Sequence, residues 1–347
     1  MTAQSLGGRV LVTGAAGFIG SALVWALNRR GIDDILVCDR LDASEKWRNL
    51  AALRFVDYID ADDLLQRVER NERALGSVRS VFHLGACSST TERDAQYLLR
   101  NNYEYTKRIV AWGLSQKARI AYASSAASYG SLETCSDEEP IDRLRPLNMY
   151  AYSKHLFDRY AQRAGWLSHL VGLKYFNVFG PNEHHKGDMR SMVCKAFEQI
   201  RRDGSVRLFK SARPEFADGC QQRDFIYVKD AVAMTLALAE NPAANGLYNL
   251  GSGRASTWLD LIEPVFDALG LQPKIDFITM PEHLHATYQY RTQATLDRLR
   301  AAGYPVQTIP PLEESVRDYV RSYLCPNRLL DPADSDAYRL RVGATAT

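Results

Sequence analysis

From Arg9 to about Lys174 short apolar runs, VLVTG, ILVCD, FVDYID, SVFHLGA, RIAYASS and LVGLKYF, alternate with segments whose apolar positions recur at helical spacing. Brief apolar runs bounded by turn residues read as strands covered on both faces, and their alternation with helices predicts an α/β fold built on a doubly wound parallel sheet. After Asn177 the pattern changes to shorter elements and more turns, from FNVFGPNEHHKGD through VRLFK to the polar loop SARPEFADGCQQ, which predicts a second, smaller α/β lobe. The later helical run AVAMTLALAE returns to the large lobe and makes the small one discontinuous. The expected division places 1–175, about 224–253 and about 286–301 in the large domain, and about 176–223, 254–285 and 302–326 in the small lobe. Residues 327–347 read as a mobile tail.

A doubly wound sheet carries its crevice beyond the carboxyl ends of the strands. Thr13, Asp39, Gly85, Ser125 and Asn177 fall at or just past such ends, so they are expected to line one cleft. The first strand runs into Gly14, Gly17 and Gly20 and then into the helical pattern SALVWALNRR. Glycines at this spacing permit a tight turn, a close approach of backbone to a pyrophosphate, and close packing of helix on strand, as in a Rossmann dinucleotide site. The second strand ends in Asp39, about 20 residues on, where an adenosine ribose would sit. Asp39 alone favours NAD by accepting from the ribose 2′-hydroxyl, whereas Arg40 and Lys46 favour the 2′-phosphate of NADP, so charge by itself leaves both open.

Candidate chemistry centres on AYASSAASYG and MYAYSK. Tyr150 and Lys154 share a helix face at i and i+4, and a neighbouring ammonium is expected to lower the phenol toward neutrality, making Tyr150 an acid/base. Tyr152 points to another side. Ser125, preferred over Ser124, ends a strand over the cleft and would hold the reacting oxygen. His184 and His185 are adjacent and lack a third close ligand, so no metal is expected. Cys87 has no base paired with it in sequence and reads as a packed thiol near the nicotinamide. Arg223 and Tyr288 could meet a nucleotide diphosphate from the small lobe.

Composition narrows the partners. The chain has 347 residues, 46% of them hydrophobic, and a net charge of +2 with no basic block, which suggests neither nucleic acid nor a membrane surface but a small molecule. No apolar run or leader pattern marks it for a bilayer or for export, so a cytoplasmic location is expected. The six cysteines are scattered, and neither a disulfide nor zinc is expected.

The segments GAAGFIGSALVWALN, HLGACSSTTE, NNYEYTK, YASSAASYG, YAYSK, YFNVFGPNEHHKG, RDFIYV, NLGSGRAST and YQYRTQATLDRLRAAGY together resemble the ADP-glycero-manno-heptose 6-epimerases, nucleotide-sugar members of the extended short-chain dehydrogenases, over about residues 9 to 325. The resemblance implies tightly held NADP and inversion of C6″ of ADP-heptose, D-glycero to L-glycero, through a transient 6″-ketone, in lipopolysaccharide inner-core precursor synthesis. It also implies a homo-oligomer, a pentamer.

Carried over residue by residue, cofactor positions are Gly14, Gly17, Phe18, Ile19, Gly20, Asp39, Arg40, Lys46, Leu84, Gly85, Ala86, Cys87, Ser88, Asn101, Lys154, Val178 and Lys186. Substrate positions are Ser88, Ser125, Asn177, Asp188, Lys195, Phe209, Lys210, Ser211, Arg223 and Tyr288. Tyr150 and Lys186 carry over as the two acid/base residues, supported by Ser125 and Lys154. The chain departs from the pattern at Ala61, near Lys195 and in the 212–222 loop. Three alternatives stand beside this reading: another nucleotide-sugar epimerase or a dehydratase, the latter needing an acid where Ala126 and Ala127 follow Ser125; an NADP-linked reductase; and a catalytically silent NADP-binding protein, which would have no need of Ser125, Tyr150 and Lys154.

Overall fold

A computed structural model describes residues 6–72, 75–285 and 288–335. Its main sheet has seven strands: β1 (Arg9–Thr13), β2 (Ile35–Asp39), β3 (Asp57–Asp60), β4 (Val78–His83), β5 (Arg119–Ser125), β6 (Leu170–Tyr175) and β7 (Gly246–Leu250). They lie in the order β7-β6-β5-β4-β1-β2-β3, and each neighbouring pair is parallel. The apolar runs read from the sequence supply β1 to β6. The run GLYNL of β7 was not anticipated as a strand, because it joins β6 only after the excursion through the small lobe.

Alternation along the strands divides the core in two. Val10, Val12 and Val37 pack with α1 (Phe18–Arg29), while Leu11, Leu36 and Cys38 face the other side. That side is covered by α2 (Ala61–Glu69), α3 (Tyr105–Ser115) and α4 (Met149–Arg163). The chain winds from β1 outward through β2 and β3, then crosses to β4 and winds the other way, so the order reverses between β1 and β4. A crevice at the carboxyl ends of these two strands is the geometric result.

The smaller part holds α5 (Met192–Asp203) and a parallel pair of strands, Val206–Phe209 and Ile275–Ile278. The helix α6 (Val228–Glu240), carrying the AVAMTLALAE run, returns to the main sheet and packs on α1. Two further helices, α7 (Trp258–Leu269) and α8 (Leu312–Asp318), pack against each other.

The expected tail differs at its start. Leu330 is buried and its N–H donates to Asn182 Oδ1 at 2.9 Å, while the Trp25 indole donates to the Asp331 carbonyl at 3.2 Å. Burial of Leu330 and these two bonds tie the chain at 330–331 to Asn182 and to α1; the expected tail from 336 on lies outside the described residues. Among the described residues no helix is long and apolar enough to cross a membrane.

Candidate active site

A cleft of about 1320 Å³ opens at the carboxyl ends of the central strands. Its floor is made by close backbone approach. Gly14 has φ +68, and a Cβ there would stand 2.6 Å from the Gly85 nitrogen, so only glycine lets the turns after β1 and β4 meet. A Cβ on Gly20 would stand 1.9 Å from the Gly14 carbonyl oxygen, so this glycine lets α1 fold directly over the turn that precedes it. No side chain caps the start of α1 at Gly17, and Phe18, Ile19 and Gly20 line the cleft. The positive end of the helix therefore faces the crevice, where backbone N–H groups suit a pyrophosphate.

Asp39 closes this end. Its carboxylate accepts the Ala16 N–H at 2.8 Å, the Arg40 N–H at 2.8 Å and the Lys46 ammonium at 3.1 Å. Lys46 lines the cleft. The Arg40 side chain does not: its guanidinium donates to Asn101 Oδ1 at 3.0 Å and pairs with Asp62 at 2.5 Å. Asn101 lies behind the lining with it. A wide π turn, Leu99–Glu104, brings the next residue inward, and Asn102 grips both the N–H and the carbonyl of Cys87 at 2.9 Å. Leu84, Gly85, Ala86, Cys87 and Ser88 line the cleft on this loop, as Val178 does from the opposite wall.

The strand end at β5 separates the two serines. Both line the cleft, but the Ser124 hydroxyl is taken up by the buried Asp158, to which it donates at 2.7 Å, whereas the Ser125 hydroxyl accepts the Ala127 N–H at 3.2 Å. Across from it, Asn148 caps α4 by accepting the Ala151 N–H at 2.8 Å and places Tyr150 in the first turn. Tyr150 and Lys154 both line the cleft.

Their electrostatics differ from the sequence expectation. The Lys154 ammonium donates to the Ala123 carbonyl at 2.9 Å. Burial raises the Tyr150 phenol above its ordinary value, opposed by a hydrogen bond with Ser125, and Lys154 does not lower it. Burial also lowers Lys154 to about 8, opposed by the charges of Asp158 and Cys87.

Lys186 reaches the same cleft from the turn His184–Met189, 5.4 Å over the Phe18 ring. Burial lowers its ammonium, and Glu183 opposes the shift. Glu183 is itself buried and accepts from the backbone N–H and, at 2.6 Å, the hydroxyl of Ser191, which fastens the far end of the loop. Asn49 fastens the near side, donating to the Ala16 carbonyl at 2.9 Å and to the Asn182 carbonyl at 3.0 Å. His185 lies 3.2 Å from Asn49 and is lowered to about 4, chiefly by burial and then by Lys186 and Lys46.

Of the remaining expected substrate residues, Ser88 and Asn177 line the cleft and the others do not. Lys195 donates to the Asp188 carbonyl at 2.6 Å, outside the lining. Arg223 and Tyr288 stand together, and Tyr290, packed on Tyr288, links them to the chain just after Phe209, Lys210 and Ser211. The Arg223 guanidinium lies 5.1 Å from the Tyr288 ring, and the Tyr290 hydroxyl accepts the Ala212 N–H at 3.1 Å. The segment 288–292 joins this cluster to the cleft, where Gln289 and Thr292 take part in the lining. Sequence reasoning missed Asn49, Asn102, Asp158, Glu183, Gln289 and Thr292. Only Asp158 carried a signal, four residues beyond Lys154 on the same helical stripe.

The profile of the NAD dependent epimerase/dehydratase family matches residues 10–251. The ADP-L-glycero-D-manno-heptose-6-epimerase of Nitratidesulfovibrio vulgaris (strain DP4) is 51% identical over 316 residues, covering 90% of this chain and 97% of that one. The same-named protein of Alkalilimnicola ehrlichii is 46% identical, covering 90% and 96%. Among solved structures, Helicobacter pylori ADP-L-glycero-D-manno-heptose-6-epimerase superposes with a TM-score of 0.76 at 26% identity, covering 93% of this chain and 99% of that one. Sequence match and superposed fold agree, and this chain belongs to the NAD dependent epimerase/dehydratase family.

Proposed function

We propose that the protein inverts C6″ of ADP-glycero-manno-heptose, D-glycero to L-glycero, through a 6″-ketone, with no net redox change. The observation that carries this reading is the convergence of Tyr150 and Lys186 on one cleft from separate elements, beside Ser125. Inverting a carbinol places the hydroxyl on one side of the carbon before the step and on the other after it. A proton-transferring group is then needed within hydrogen-bond reach of each position. Tyr150 serves one hydroxyl and Lys186 the other, while Ser125 holds the oxygen between them. Relatives named for this activity at 51% and 46% identity support the choice of substrate.

The residues present fit a nicotinamide dinucleotide. The glycine cradle has no room for a Cβ at Gly14, the α1 terminus is uncapped, and Lys46 stands at the ribose corner. Held there, such a group would supply a hydride acceptor for C6″ and the hydride for its opposite face. NADP is the favoured form, because Asp39 already accepts from Ala16, Arg40 and Lys46 and has little capacity left for a ribose 2′-hydroxyl, while Lys46 supplies a cation. The small-lobe cluster around Arg223 and Tyr288 holds the ADP end while the sugar end turns. The protein works in lipopolysaccharide inner-core heptose synthesis, in the cytoplasm, as a homo-oligomer, a pentamer on the family's pattern.

The test is direct. Incubated with ADP-D-glycero-D-manno-heptose, the protein is expected to produce the L-glycero epimer, resolved by chromatography, with no consumption of added NADPH. Mass spectrometry of the small molecules released on denaturation should identify NADP. Stoichiometric NADPH consumption would establish a reductase instead, and loss of water from the sugar a dehydratase.

A further inference from the structure

We propose that Asp158 is a positioning residue for this site, setting the end of β5 against the Tyr150–Lys154 face of α4. The inference rests on the reading of Ser125, Tyr150 and Lys154 given above. Tyr150, Lys154 and Asp158 occupy one stripe of α4 at successive turns. Asp158 is fully buried, and its carboxylate takes three donors from two strands. It accepts the Tyr122 hydroxyl at 2.9 Å and the Ser124 hydroxyl at 2.7 Å from β5, and the Lys174 ammonium at 3.2 Å from β6. Lys174, 1% exposed, also donates to Ser128 at 2.5 Å, and the Ser128 hydroxyl donates to the Ser125 carbonyl at 2.7 Å.

Two hydrogen-bonded arms therefore run from one carboxylate to the cleft serine. One grips the preceding residue, Ser124; the other runs through Lys174 and Ser128 to the backbone of Ser125 itself. A carboxylate and an ammonium buried together are costly to desolvate, and hydrophobic residues of similar volume would stabilise a core at least as well. A polar network in this position instead fixes direction and register, which packing alone leaves looser. The charge acts on Lys154 as well. Lys154 is faced by Asp158 on its own helix, by Cys87 on the loop after β4 and by His83 on β4, and Asp158 is the largest influence keeping its ammonium protonated against burial.

The experiment replaces the pair together, Asp158→Asn with Lys174→Met, so that no unpaired charge is left buried. Epimerisation of ADP-D-glycero-D-manno-heptose, binding of ADP and the pH profile of kcat are measured beside the parent. The expected result is parental ADP affinity with kcat lower by on the order of 10²-fold, the scale of a misplacement near 1 Å, and an alkaline fall of kcat at lower pH than in the parent. Parental kcat with an unmoved alkaline limb would overturn the inference and leave Asp158 a core residue only. If the pair variant does not fold, Ser124→Ala and Ser128→Ala decide, since each cuts one arm and keeps the ion pair. A loss of at least ~10-fold in kcat at unchanged KM is expected, and parental kcat in both overturns the proposal. Tyr150→Phe in the same assay separates the two failures. Parental turnover there overturns the reading of the whole site and this inference with it, whereas an inactive Tyr150→Phe beside a fully active pair variant overturns this inference alone.

Discussion

The Asp39 carboxylate accepts the backbone N–H of Ala16 at 2.8 Å, which ties the end of β2 to the glycine turn between β1 and α1. The same carboxylate carries Lys46 at 3.1 Å, so the residue that terminates the second strand also fixes a cation on the cleft wall.

Lys46→Met should therefore change cofactor preference more than cofactor binding as such. Removing one charge-assisted contact to a 2′-phosphate is worth about 1.5–3 kcal/mol, so the affinity for NADP relative to NAD should fall by at least ~10-fold. Titration calorimetry with both dinucleotides measures it, and an unchanged ratio would remove Lys46 from cofactor selection.

Tyr150→Phe should fold and keep its dinucleotide, because the change removes one oxygen and keeps the ring. Epimerisation should fall by at least ~10²-fold, the scale of a lost general acid/base. Near-parental turnover would leave the phenol a packing role.

Lys186→Met should abolish net inversion while leaving ADP binding intact, since the lysine stands over Phe18 and not among the Arg223 cluster. The double variant with Tyr150→Phe should be little worse than the worse single one, because groups serving one cycle are strongly non-additive. Multiplicative losses in epimer interconversion would mean two independent roles.

The pH dependence has a definite sign. Lys154 sits at about 8 in the folded protein because burial lowers it from 10.5. Between those values the unfolded chain binds a proton that the folded chain lacks, so this residue's contribution to stability rises with pH through the window. Its ammonium is lost over the same window, and kcat should fall on the alkaline side from about 8 upward. Urea unfolding and turnover on both sides of that value check the two trends, and Lys154→Met should abolish the first. A parent that loses stability over that window relative to Lys154→Met would contradict the assignment.

Asp224→Ala is expected to cost stability rather than chemistry. The buried carboxylate accepts the N–H groups of Ser252, Gly253 and Ala294 at 2.6, 2.9 and 3.0 Å, and the Ser252 hydroxyl at 2.8 Å. Orphaning such donors costs about 1–3 kcal/mol each, so a loss of at least ~3 kcal/mol and a fall in Tm of roughly 4 °C or more should appear in calorimetry. A shift of less than ~2 °C would mean that water replaces the carboxylate without cost.

By itself the sequence determined the alternation of strands and helices, the glycine turn, the aspartate at the end of the second strand, and the Tyr150–Lys154 stripe. These are local properties: period, φ freedom and i,i+4 spacing are written within a few residues of one another. The strand Gly246–Leu250 escaped because its partner Leu170–Tyr175 lies across the small-lobe excursion, and pairing across that distance leaves no local mark.

The tertiary structure alone decided which charges face the cleft. Arg40 and Lys46 look alike in sequence, yet Asp62 and Asn101 take up the guanidinium while Lys46 stays on the lining. Ser124 and Ser125 are likewise adjacent and both line the cleft, yet Asp158 takes up the Ser124 hydroxyl while that of Ser125 bonds with the Tyr150 phenol. Tyr150 and Lys154 were legible as a pair but not in their protonation, because burial, a sum over the whole surrounding fold, is the largest influence on both and leaves no mark in the spacing.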